Sequence, residues 1–91
     1  METDVIVEEE VKRETKKGDN VILILHNDDK NDIAHIENSL IDICDHSPEQ
    51  AAQCAIIAHY KGSCDIKKGE KSKLLSMHKQ FNNRGIITTV E

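Results

Sequence analysis

Residues 19–91 predict an α+β domain: a small three-stranded antiparallel sheet with three helices packed on one face, in the order β-α-α-β-α-β. Three observations carry that expectation. Val21-Ile22-Leu23-Ile24-Leu25 is an unbroken aliphatic run of strand length, rich in β-branched side chains, and reads as a buried strand. Three later stretches place small or apolar residues along one side at the spacing of a helix. Two short runs, at 63–67 and 86–90, follow the second and third of those stretches with strand composition. A sheet this small, with helices that must each bury one stripe, packs most simply as two layers.

Taken in order, the chain opens with an extension over residues 1–18. Glu8, Glu9 and Glu10 precede Lys12, Arg13, Lys16 and Lys17, and Val5-Ile6-Val7 is the single apolar island. So little apolar surface does not offset the entropy of ordering, so the segment reads as a flexible, solvated tail ahead of a core domain at 19–91. The first strand, 21–26, stops at Asn27-Asp28-Asp29, whose side chains bond their own backbone in turns. Asn31 or Asp32 can cap the next helix, in which Ile33, Ile36, Leu40 and Ile43 or Cys44 recur at helical spacing. Ser47-Pro48-Glu49-Gln50 starts the second helix, with a capping hydroxyl, proline at the first helical position and Gln at the third. That helix runs to about Tyr60, and Gly62 suits its left-handed ending. Its Ala51, Cys54, Ala55 and Ala58 make a stripe of small residues that lets a neighbour pack closely or leaves room for something else. Residues 63–67 alternate as a short, partly exposed strand, with Cys64 and Ile66 pointing one way and Gly69 breaking it. Leu74, Met77, His78 and Phe81 give a third amphipathic helix ending at Asn82-Asn83-Arg84-Gly85, and 86–90 is the last strand.

Composition narrows the function. Aromatic residues are 2% of the chain, Tyr60 and Phe81 alone, so the core is aliphatic and there is almost no surface on which bases could stack. A net charge of −5 argues against nucleic acid or an anionic membrane as partner. No run is long enough to span a bilayer, and Met1-Glu2-Thr3-Asp4 lacks the basic start of a signal peptide. Cys44, Cys54 and Cys64 are an odd set without a CxxC, which suits packed thiols in a reducing cytoplasm. His26, Asp28, Asp29, His35 and His59 are possible metal ligands, but none shows HExxH or EF-hand spacing, and no nucleophile–base pair or phosphate loop stands out. The expectation is a non-enzymatic monomer without cofactor or metal.

The remaining signal is the polar cluster at the end of the first strand. A buried strand ending in amide and carboxylate side chains fixes acceptor groups on a rigid base at the surface, which suits a cation. Leu25-His26-Asn27-Asp28-Asp29, followed roughly thirty residues later by Ala58-His59-Tyr60-Lys61-Gly62, resembles the ClpS family, adaptors for the Clp AAA+ protease. The likeness covers about residues 20–91, and the order of elements agrees throughout. It implies an adaptor that binds proteins with a bulky hydrophobic amino-terminal residue and delivers them to the Clp unfoldase. On the matching positions, Asn27, Asp29 and His59, with Asp28 in a supporting place, would hold the α-amino group. Leu25, Asn31, Ile33, Ala55, Ala58 and Ile86 would form the side-chain pocket. The partners implied are substrates bearing such an N-degron and the N-terminal domain of a Clp AAA+ ATPase. Tyr60, Lys67 and Lys68 are candidates to meet that ATPase by proximity to the site, and residues 1–18 to help hand substrate over. The chain departs from the family pattern at Asn31, where Thr is frequent, at Ile33, and at Ala55 and Ala58, where larger side chains are common; His35 replaces an aromatic.

The chemistry of those residues fits the task. A free amino terminus has three N–H donors and a positive charge; Asn27 offers a carbonyl oxygen, Asp29 a carboxylate and neutral His59 a ring nitrogen. Charge-assisted hydrogen bonds of this kind contribute roughly 1.5–3 kcal/mol each, and burying a Leu or Phe side chain about as much. Set against the cost of association, the two together suggest about micromolar binding for a short peptide. An internal or acetylated N–H cannot satisfy the set. Small side chains at 55 and 58 are expected to favour aromatic first residues over Leu. Because an acceptor imidazole must be neutral, and histidine as a class titrates near ~6.5, affinity should fall on acidification. Two other readings stay open: a ClpS-like regulator that binds the ATPase without reading amino termini, and a ribosomal-stalk-like domain, which lacks both motifs.

Overall fold

Asn20–His26 is the central strand, β1, of the computed structural model, which describes residues 20–91. The expected extension over 1–18 lies outside those residues. β2 (Ser63–Glu70) and β3 (Thr88–Val90) flank β1 antiparallel, in the order β2-β1-β3. The central place follows from the aliphatic run. Leu23 and Leu25 are fully buried on one face, while Ile22 and Ile24 are half-buried on the other, so the alternation of β geometry decides which side takes the helices.

Three helices cover the Leu23–Leu25 face: α1 (Ile33–Cys44), α2 (Pro48–Lys61) and α3 (Lys71–Asn83). The architecture is the α+β arrangement expected, β-α-α-β-α-β. Asp32 caps α1, its carboxylate accepting from the His35 N–H at 2.9 Å. Ile36, Ser39, Leu40, Ile43 and Cys44 are the buried side of that helix. Ser47 caps α2 by accepting from the Gln50 N–H at 3.1 Å, with Pro48 in the first turn. Gly62 closes α2 at φ 96°, donating its N–H to the Ala58 carbonyl at 2.9 Å. That backbone region strains any residue with a Cβ. The stripe of Ala51, Cys54, Ala55 and Ala58 is the buried side of α2, so small residues let the helix lie close on the sheet. In α3, Leu74 and Phe81 have no exposed surface. Each such side chain contributes roughly 1.5–3 kcal/mol by leaving water.

Two sequence expectations need correction, and between them lies an irregularity that the sequence does not announce. Gly69 does not break β2: it pairs with Val21, Glu70 pairs with Asn20, and α3 begins directly at Lys71. A glycine is a poor strand former on its own, but pairing to a strong central strand overrides that preference. β2 also carries an extra residue: Leu23 pairs with Lys67 and Ile24 with Asp65, leaving Ile66 unmatched. This bulge turns Ile66 into the core, 5% exposed. His46, buried in the α1–α2 connection, donates its Nε2–H to the Ile66 carbonyl at 2.8 Å and so holds the bulge from the helical side. Finally, the last strand is shorter than 86–90. Ile86 is buried by packing against the core and precedes β3, and Ile87 is exposed while its carbonyl accepts from the His26 N–H at 3.0 Å. Among the described residues, no helix is long and apolar enough to cross a membrane.

Candidate functional site: a polar turn beside a helix end

Immediately after β1 the chain folds on Asp28. Its Oδ1 accepts from the backbone N–H groups of Lys30 at 2.9 Å and Asn31 at 2.8 Å, and its Oδ2 accepts from Asn31 Nδ2 at 3.1 Å. Burial alone would raise this carboxyl, but the Asn31 backbone and side-chain donors, the Lys30 N–H and the Lys30 charge together hold it below its ordinary value of 3.8. Asp28 therefore stands ionised and engaged with its own chain. It shapes the turn, whereas the neighbouring side chains of Asn27 and Asp29 are exposed and have no hydrogen-bond partner among the described residues. Asn31 extends the brace: the same Nδ2 donates to the Gly85 carbonyl at 2.8 Å, one residue before Ile86.

The second side of the site is the last turn of α2. The Asn27 N–H donates to the Gly62 carbonyl at 2.9 Å, so the strand end is fastened to the helix cap. The left-handed cap at Gly62 is thus the point where helix end and strand end join. His59, in the last turn of α2, is exposed and stacks edge-on against Tyr60, ring centroids 4.9 Å apart. Asn27, Asp29 and His59 thus stand on two adjoining elements, all open to solvent. Two acceptor-bearing side chains and an imidazole in this setting can receive the hydrogens of an ammonium group. Among the described residues, no group of three or more His, Cys, Asp or Glu side chains is placed to hold a metal ion.

Apolar residues lie behind and beside this polar edge. Ala55 and Ala58 are 4% and 3% exposed, Ile86 is 1% exposed, and Ile33 stands 46% exposed at the first position of α1. Leu25 has no exposed surface and belongs to the same buried cluster as Ala55, Ala58 and Ile86.

The residues expected to form a partner surface do not sit together. Tyr60 is 80% exposed beside His59. Lys67 and Lys68 pair with Leu23 and Ile22, three and four residues along the sheet from the His26–Ser63 pair, a separation of roughly 10–13 Å. With Ile22, Asp65 and Ile66 they line a shallow groove of their own.

Sequence reading missed the turn that follows α3. Gly85, at φ 75°, presents its carbonyl to Asn31, and the Arg84 carbonyl accepts from His35 Nε2 at 3.0 Å. Arg84 itself reaches Ser39 and Asp42 of α1 at 3.2 and 3.3 Å. The Asn-Asn-Arg-Gly ending signals a helix stop; nothing local says that it docks on a turn more than fifty residues earlier.

Known proteins match this chain in family and in fold. The family model for the ATP-dependent Clp protease adaptor protein ClpS matches residues 16–86. Among solved structures, Agrobacterium tumefaciens ClpS2 bound to L-phenylalaninamide is similar in fold, with a TM-score of 0.79 at 18% identity, covering 82% of this chain and 98% of that one. No curated protein sequence matches the chain.

Proposed function

From the premise that this chain belongs to the ClpS family of ATP-dependent Clp protease adaptors, we propose that it binds proteins through a free α-amino group and a bulky hydrophobic first side chain, and delivers them to a Clp AAA+ unfoldase. The carrying observation is the fastening of Asn27 to the α2 cap through the Gly62 carbonyl, which sets the NDD turn against the helix end that bears His59. In this reading, Asn27 and Asp29 accept from the ammonium group, His59 accepts through a neutral ring nitrogen, and Asp28 positions the turn. The first side chain enters beside Ile33, Ala55, Ala58 and Ile86. Agrobacterium ClpS2, whose fold is similar, holds L-phenylalaninamide, a phenylalanine with a free α-amino group, and this supports the same ligand chemistry here.

The polar and apolar halves are both required, because each contributes only a few kcal/mol against the cost of association. An N-acetylated peptide loses the charge and two donors; a Met- or Ala-first peptide loses apolar contact. Delivery calls for a partner surface, for which Tyr60 is the candidate nearest the site. Fluorescence anisotropy with ten-residue peptides beginning in Phe, Leu, Met and acetyl-Phe tests the reading. Clear preference for the Phe-first peptide and its loss on acetylation are expected. Equal binding of all four, or of none, would leave only the regulator that contacts the ATPase without reading amino termini.

A further inference from the structure

The sheet has two faces, and the helices cover one. On the other, β1 presents Ile22 and Ile24, both half-buried, where a sheet packed on a single side ordinarily turns polar residues outward. Cross-strand partners point the same way, so Lys68 stands beside Ile22, and Asp65 and Thr89 flank Ile24. His26 Nε2 and Thr89 Oγ1 are hydrogen-bonded at 2.7 Å at the far end of the strand. Where the register of β2 skips, Ile22, Asp65, Ile66, Lys67 and Lys68 line a shallow groove. It sets isoleucine beside two cations, and the amine-site reading makes no use of it.

We propose that this groove is the docking site of the chain's own segment 5–10, with Val5-Ile6-Val7 laid against Ile22 and Glu8-Glu9-Glu10 set on Lys67 and Lys68. Composition, tether and economy of ordering select that occupant. The segment is the chemical complement of the groove: an aliphatic triplet followed directly by the one run of three like charges in the sequence. The tether is short and sufficient. β1 begins at Asn20, two residues before Ile22, or roughly 7 Å along the strand. Residues 8–19, which separate Val7 from Asn20, reach up to about 40 Å. The segment therefore meets the groove at an effective concentration on the order of millimolar, and weak contacts suffice to hold it. Its apolar island is too small to fold by itself; a groove already built by β1 and β2 asks of it a single docked conformation.

Asp65 lines the same groove and repels the glutamates. Two lysines against one aspartate leave the balance attractive and make the docking salt-sensitive. Lysines on an edge strand also deter strand-to-strand association between molecules, but that service shows no preference for an acidic segment. The docking does not rest on the amine-site reading, because the groove lies along the sheet from that site.

The test uses the full chain and a carbodiimide, which joins a carboxylate to a lysine amine as an amide with loss of one water. Peptide mapping is expected to find Glu8, Glu9 or Glu10 joined to Lys67 or Lys68 about fivefold more often than to Lys30, Lys61 or Lys79, an excess lost in about 0.5 M sodium chloride. Glu8→Lys, Glu9→Lys and Glu10→Lys together remove the excess. Adding Lys67→Glu and Lys68→Glu to that variant restores it, with carboxylate and amine exchanged. Methyl NMR reads the apolar half: Val5→Ser, Ile6→Ser and Val7→Ser together move the Ile22 and Ile24 resonances and leave those of Ile43 and Ile86, buried on the helix side, in place. An equal mixture of unlabelled and heavy-nitrogen chains identifies the donor. Crosslinked peptides of one label support the chain's own segment, whereas mixed label shows a second copy in the groove and overturns the proposal. No excess over the three comparison lysines, an excess indifferent to charge reversal, or unmoved Ile22 and Ile24 methyls overturns it as well.

Discussion

The two sides of the site are built in opposite ways. On the strand side, Asp28 and Asn31 tie the turn with four side-chain hydrogen bonds, one of which reaches the Gly85 carbonyl across the fold. On the helix side, His59 and Tyr60 stand exposed at the end of α2, their rings edge-on to each other. One backbone bond, from the Asn27 N–H to the Gly62 carbonyl, joins the two. The contrast between Asp28 and Asp29 teaches the same lesson. They are adjacent and chemically identical, yet one is consumed in holding the turn and the other is exposed. In the proposed reading, preorganisation and ligand contact are divided between neighbours.

The comparison predicts that substitutions on the open, unpaired groups change binding and not folding. Asn27→Ala and His59→Ala should each weaken Phe-first peptide binding by about 10- to 100-fold, the loss of one charge-assisted hydrogen bond, with the thermal midpoint unchanged. A similar fall in midpoint for both would erase the division of labour. Asp28→Ala should do the reverse first: loss of its turn bonds lowers stability by about 1–3 kcal/mol, and affinity falls because the turn no longer presents its neighbours. Urea unfolding beside peptide anisotropy measures both. Since the Asp28 carboxyl is held below 3.8 in the folded state, its contribution is complete above that value and is lost as pH falls through the lower folded one. Between about pH 5 and about pH 2, Asp28→Asn should therefore shed less stability than the native chain.

Smaller effects sharpen the junction between the two sides. Gly62→Ala meets open space but must hold φ near 96°, so it should cost about 1–2 kcal/mol through backbone strain alone. Part of that should reappear as weaker binding, because the Gly62 carbonyl orients Asn27. Arg84→Ala removes a half-exposed pair to Asp42, at 3.3 Å, and a bond to Ser39. Solvent screening keeps its effect below about 1 kcal/mol, measurable as a small shift in the urea midpoint with peptide binding intact.

Much of the fold was written locally. Val21 to Leu25 could only be a buried strand, Ser47-Pro48 could only begin a helix, and Gly62 closes one because its backbone takes the positive φ that other residues avoid. The NDD and HYxG motifs also supplied the residues that the proposed reading turns toward the amine, and the structure leaves Asn27, Asp29 and His59 exposed at a strand end and a helix end. What stayed hidden depended on partners distant in sequence. Gly69 looks like a breaker until Val21 pairs with it, and Ile66 looks like an ordinary strand residue until the register skips it. Lys67 and Lys68 seem near the site in sequence, yet the strand carries them away from it.

Local propensity and capping thus determined which segments are strand or helix and where most of them stop, because those choices are settled within a few residues of backbone. Only the tertiary structure decided that Asp28 works inward while Asp29 is exposed, that Asn31 docks on Gly85, and that His46 reaches the Ile66 carbonyl. Each of these is a contact between groups whose positions are fixed by the packing of whole elements, and the energy that selects it does not exist until the sheet and its helices have closed around Leu23, Leu25 and Phe81.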